Sequence, residues 1–98
     1  MQFIEPEDFI IDKYYVVIRE NSTDEFIFKY AEGNNSPYIG GKNTGAALSN
    51  ADFKSYCGSQ HDPRKTKHAT PMEISWLDRS IAEGVRLKEP KIEMYEIY

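Results

Sequence analysis

The chain of 98 residues is 40% hydrophobic and 13% aromatic, which supports one modest core and not two, so residues 1–98 are expected to form a single domain. A formal charge of −4 gives no general attraction to long nucleic acid. No apolar run approaches the ~18 residues of a membrane span and no basic start leads into a hydrophobic stretch, so neither a span nor a secretory signal is expected, and the protein reads as cytoplasmic.

Charge is unevenly spread. Residues 1–33 carry three basic and eight acidic side chains, residues 34–69 five basic and two acidic, and residues 70–98 four basic and six acidic, so only the middle is positive. Residues 1–12 begin acidic and irregular, with Pro6 limiting any early strand and Phe9, Ile10 and Ile11 expected to bury as the chain enters a sheet. Residues 13–19 then read as a strand whose unbroken run of β-branched and aromatic side chains predicts cover on both faces. Asn21, Ser22, Thr23 and Asp24 make a turn, and residues 25–30 return as a second strand with Phe26, Phe28 and Tyr30 on one face and Ile27 and Lys29 on the other. An antiparallel hairpin is the simplest result.

From Ala31 the pattern weakens. Residues 32–37 read as a polar loop, Tyr38 and Ile39 as a short strand, residues 40–45 as a flexible glycine-rich run, and residues 46–48 as a turn of helix, with Phe53 and Tyr56 anchoring the region to the core. Residues 58–68 are polar again, with Arg64, Lys65 and Lys67 close together. About 38 residues with so little regular pattern are unusual in a compact domain unless they are functional or partly disordered, so a site is expected here.

The glycine run Gly40, Gly41, Lys42, Asn43, Thr44 and Gly45 invites a phosphate reading, since glycines let exposed amides converge on an anion and Lys42 adds a charge. Its spacing is not that of a P-loop, and a plain flexible turn is the competing reading. Arg64, Lys65 and Lys67, with His61 and His68 beside them, form the densest positive cluster; arginine binds phosphate through a planar fork and lysine as a point charge, while a solvated loop is the ordinary fate of such a run. Tyr38, Tyr56 and Trp76 offer flat rings for a nucleobase or, more commonly, for the core. A lone cysteine, Cys57, lacks the neighbours of a zinc site and reads as a small buried residue, and no catalytic group, cofactor or metal is expected.

The clearest element is the helix over residues 70–84. Thr70 suits the N-cap, Pro71 the first helical position, Glu73 the far side of a capping box, and Gly84 the left-handed stop. Ile74, Leu77 and Ile81 fall within about 60° of one another, continued by Val85, and predict the core face; Met72 and Trp76 then lie on the opposite side with Arg79 and Glu83. Either the C-terminal segment folds over that side or a second subunit or another partner does. After a turn at 85–90, residues 92–98 alternate as a final strand that closes the sheet or pairs with a neighbouring subunit.

The string A-T-P-x-E-I-x-W-L-x-x-x-I-x-x-G over residues 69–84 resembles the C-terminal segment of small uncharacterised proteins encoded by tailed bacteriophages. Residues 13–18 echo the short Tyr-rich strand of several members. The departures are Met72 where a second acidic residue is common, Ser80 where a small residue or cysteine is common, and Ala82-Glu83 before the glycine. The resemblance implies a phage origin, and hence use in the host cell cytoplasm, far more than any activity.

Together these features predict an α+β fold: a small antiparallel sheet, bent or barrel-like, with the C-terminal helix packed on it and a long irregular middle segment. Two function classes follow. In the first, a non-enzymatic phage accessory protein counters host defence by sequestering a small phosphorylated signal, a nucleotide, through Tyr38, Lys42, Asn43, Thr44, Arg64, Lys65 and Lys67. In the second, a protein-binding inhibitor or assembly module acts on a host or phage protein through an apolar surface at Met72 and Trp76 or through the C-terminal strand. A homo-oligomer fits both.

Overall fold

The computed structural model of the chain describes residues 3–19, 24–41, 44–57 and 64–90. Five antiparallel strands form one open sheet: β1 Tyr14–Arg19, β2 Glu25–Lys29, β3 Ser36–Gly40, β4 Ser49–Ala51 and β5 Arg64–His68, in the order β4-β3-β2-β1-β5. A short helix α1, Phe53–Cys57, precedes β5, and the longer α2, Pro71–Glu83, follows it. The architecture is the expected mixture of antiparallel sheet and C-terminal helix. Among the described residues the sheet is open and not a closed barrel, with β4 and β5 as its outermost strands.

Strand β1 lies between β2 and β5 and is covered on both sides, as its continuous apolar run predicts. Tyr15 and Val17 face a core shared with Phe28, Tyr30 and Phe53, against which Phe9, Phe26, Tyr38 and Tyr56 pack. Val16 faces the other core with Ile27, Ile39, Trp76 and Leu77. The register explains this sorting: Tyr15 opposes Phe28 and Val17 opposes Phe26 on one face, while Val16 opposes Ile27 and Ile27 opposes Ile39 on the other. Helix α1 covers the first face and α2 the second, giving three layers. A fully buried side chain of this size contributes about 1.5–3 kcal/mol relative to exposure, so β1 to β3 carry much of the stability.

The middle of the chain is more regular than its composition suggests. β3, β4, α1 and β5 all fall within the stretch expected to be irregular, and the basic run lies on an edge strand, not a loop. Only Thr66 of β5 is buried. A charged edge strand resists edge-to-edge association, and the Ile4 N–H donates to the Thr66 carbonyl at 2.8 Å along the outer edge. Residues 46–48 form no helix; the helical turn comes later, at α1.

Two burial expectations are corrected. Phe9 packs on Tyr15 with ring centroids 4.9 Å apart, but Ile10 and Ile11 are 58% and 48% exposed. The turn they occupy closes through Lys13 N–H to the Ile10 carbonyl and ends on Asp12 at φ 72°, a left-handed conformation aspartate tolerates.

The second correction concerns α2, whose ends are as predicted. The Glu73 amide donates to the Thr70 hydroxyl at 3.3 Å, the Thr70 amide donates to the Glu73 carboxylate at 2.8 Å, and Gly84 stops the helix at φ 76°. Its buried face is Trp76, Leu77 and Ser80, while Ile81 and Val85 are exposed, so the helix is rotated about a quarter turn from the orientation given by its isoleucines. The returning chain causes this. The Trp76 indole N–H donates to the Leu87 carbonyl at 3.0 Å, the Leu87 amide donates to the Ser80 hydroxyl at 3.2 Å, and the Arg86 guanidinium lies 5.0 Å from the Trp76 ring. Residues 86–87 therefore fold over the side expected to face outward. The turn at residues 21–23 and the strand at 92–98 lie outside the described residues.

Candidate functional site

Strand alternation divides the basic cluster. Arg64 opposes Arg19, Thr66 opposes Val17 and His68 opposes Tyr15 on the α1 face, whereas Lys65 opposes Ile18 and Lys67 opposes Val16 on the α2 face. The three cations therefore do not converge. Lys65 lies 5.2 Å from the Phe3 ring, and Lys67 faces a groove beside α2.

The glycine run does not form a cradle in its described part. The amides of Gly40, Gly41, Thr44 and Gly45 donate to the carbonyls of Ala46, Glu25, Gly41 and Gly41, respectively, so they are committed within the protein. The Thr44 hydroxyl accepts the Glu25 amide at 3.1 Å, giving Thr44 a structural place in the β2 end. Gly40 is glycine because the chain crosses it closely: a Cβ there would lie 2.2 Å from the Ala46 nitrogen. Lys42, Asn43 and His61 lie outside the described residues.

The described residues form a concavity on each face of the sheet. On the α1 face, Phe26, Tyr38, Ala51, Phe53 and Tyr56 line a cup of about 130 Å³. Phe53 stacks on Phe28 at 4.1 Å and forms its floor, while Tyr38 and Tyr56 meet Phe53 edge to face at 5.2 and 5.6 Å. Phe26 meets Tyr38 and Tyr56 in the same way at 5.8 and 6.1 Å. The Arg64 guanidinium is 3.7 Å from the Tyr56 ring centroid, and its cross-strand neighbour Arg19 pairs with Asp24 at 3.6 Å. Two like charges opposed on one face need such partners.

Comparison of the chain with family models, curated proteins and solved structures finds no match.

On the α2 face a larger groove of about 400 Å³ runs past the start of the helix, with Pro71, Met72, Trp76 and Pro90 as apolar lining and Glu25, Glu73, Glu89 and Lys67 as charged lining. Burial raises the Glu25 carboxyl above its ordinary range, with Glu73 and Glu89 adding to the effect and Lys67 opposing it. Met72 is half-buried here, and Trp76, only 2% exposed, is part of the floor and not an outward-facing ring.

Cys57 and Tyr14 are both held in their protonated forms. Burial pushes the Cys57 thiol up to about 11, despite the Thr66 hydroxyl and Arg64 nearby, so it stays protonated at neutral pH. The Tyr14 hydroxyl, raised to about 12 by burial and then by Asp78, donates to the Asp78 carboxylate at 2.5 Å and ties the sheet to α2. Among the described residues no group of three His, Cys, Asp or Glu side chains is placed to hold a metal.

Of the residues expected to bind a ligand, the cup thus contains Tyr38 and has Arg64 at Tyr56. Phe26 and Arg19 were missed by sequence reasoning. Phe26 was visible only as a core-face residue, and Arg19 becomes relevant only through the β1–β5 register, which places it opposite Arg64.

Proposed function

We propose that the protein is a non-enzymatic binding protein whose α1-face cup holds the flat ring of a small anionic ligand of nucleotide type. The observation that supports this is the aromatic cup with the Arg64 guanidinium at 3.7 Å from Tyr56. The half-buried rings of Phe26, Tyr38 and Tyr56 leave part of their surface open to a base, and base–aromatic stacking is worth about 1–3 kcal/mol per base and tolerant of base identity. Positive charge from Arg64 at the Tyr56 side suits the phosphate, because a planar guanidinium recognises phosphate oxygens in pairs. In the phage setting that the α2 segment resembles, such a protein would act on host defence by sequestering a phosphorylated signal in the host cytoplasm.

The test is a thermal-unfolding scan with cyclic and linear signalling nucleotides. A ligand at 100 times its dissociation constant adds about 2.7 kcal/mol to stability. We expect a ligand-specific rise in Tm, a loss of that rise in Arg64→Gln and in Tyr38→Leu, and chemically intact ligand after release. A panel that leaves Tm unchanged, or a rise that both variants retain, refutes the reading.

A further inference from the structure

We infer that the α2-face groove is a docking site for an extended segment of a partner protein that carries lysine or arginine between apolar residues. The groove lies on the opposite side of the sheet from the aromatic cup, so this inference stands independently of the nucleotide reading.

Three observations carry it. First, part of the lining is apolar and stiff: Pro71 and Pro90 have fixed φ angles, and Met72, one helical turn before the buried Trp76, adds an adaptable thioether chain. A groove of about 400 Å³ is within the range that takes a ligand. Second, its charges are unbalanced. Among the described residues that line it, Glu25, Glu73 and Glu89 face one ammonium, that of Lys67, and this crowding contributes to the raised Glu25 carboxyl. A cation entering the groove relieves the repulsion, whereas an anion adds to it. Third, the carboxylate of Glu73 is fixed in place. It accepts the Thr70 amide at 2.8 Å in the capping box, and the Thr70 hydroxyl in turn takes the Glu73 amide. The positive end of the helix is thereby partly answered from within, and the carboxylate needs no reorganisation to meet a partner.

Lys67 narrows where that partner's charge falls. Its ammonium already opposes Glu25, which leaves Glu73 and Glu89 for the incoming lysine or arginine. The aliphatic stem of such a side chain covers Met72 and Pro71 while its head reaches the carboxylates, the arrangement that long cationic side chains adopt on mixed surfaces.

Trp76 is the sole tryptophan and floors the groove, so its fluorescence reports occupancy directly. The full-length protein is titrated with a synthetic peptide alternating arginine and leucine, and with matched peptides carrying glutamate or serine in place of arginine. We expect a saturable change with the arginine peptide alone, weakened at least tenfold by Glu89→Lys and several-fold by Met72→Ala, and weakened again between about 0.1 and 1 M salt, where the screening length falls from about 10 to 3 Å. Arg64→Gln, on the other face, leaves this binding unchanged. Unfolding scans of each variant establish that the fold is intact. An equal response to the glutamate or serine peptide, no response to the arginine peptide, or undiminished binding by folded Glu89→Lys overturns the inference.

Discussion

Glu25 stands where strand, loop and groove meet: its amide donates to the Thr44 hydroxyl, its carbonyl accepts the Gly41 amide, and its side chain enters the α2-face groove. Because burial raises its carboxyl above the ordinary glutamate range, the folded state holds this proton more tightly than the unfolded state does. Between the unfolded and the folded pKa the native protein binds more protons, so the contribution of Glu25 to stability falls as pH rises through that window and is constant above it. Glu25→Gln is therefore expected to raise the denaturant midpoint at pH 7 and to change it less at pH 4; an equal shift at both values, or a loss at pH 7, contradicts the assignment. Cys57 offers a second check at this scale. A thiol moved from 9.0 to about 11 has roughly a hundredfold less thiolate near neutrality, so a disulfide reagent at pH 8 should modify native Cys57 at least that much more slowly than unfolded protein. Rapid native labelling would show that the thiol is not buried as described.

Among the elements, α2 shows best what its local sequence determines and what it does not. Capping chemistry lies within a few residues and was legible: Thr70→Ala removes the acceptor for the Glu73 amide and is expected to cost about 1 kcal/mol, while Gly84→Ala forces a side chain into φ 76° at a cost of about 1–2 kcal/mol, both measurable as shifts in urea midpoint. The helix's rotation was not legible, because it depends on the bond the Trp76 indole donates to the Leu87 carbonyl and the bond Ser80 accepts from the Leu87 amide, which helical periodicity does not contain. The same contrast separates the strands. β1 and β2 declare themselves through β-branched and aromatic runs, whereas β4 is Ser49–Ala51 and β5 is Arg64–His68, whose pairing rests on backbone bonds to a neighbour and on the single buried Thr66. For the candidate site, the aromatic residues could be picked out individually, but their meeting depended on α1 placing Tyr56 beside Phe26, and the splitting of the basic cluster depended on β5 being a strand at all.

At the scale of the whole molecule, two cores share one sheet. Tyr15 and Val17 on one side of β1 and Val16 on the other are successive residues of one strand, so neither layer can be lost without exposing the back of the other's support. This coupling predicts a single cooperative transition. Phe53, 2% exposed and stacked on Phe28, belongs to the α1 face, and Phe53→Ala is expected to cost about 3–5 kcal/mol through lost burial and the cavity left behind. Trp76 belongs to the α2 face and makes no ring contact with Phe53 across the intervening sheet, so its fluorescence is a reporter remote from the substitution. In wild type, the urea transition followed by Trp76 fluorescence should coincide with that followed by far-ultraviolet circular dichroism, and Phe53→Ala should move both midpoints by the same amount. If the Trp76 transition stays in place while the dichroism shifts, the two layers unfold separately and β1 does not transmit stability across the sheet. A common shift would also mean that ligand binding in the α1-face cup stabilises the α2-face groove, since energy added to one core is then added to the folded state of both.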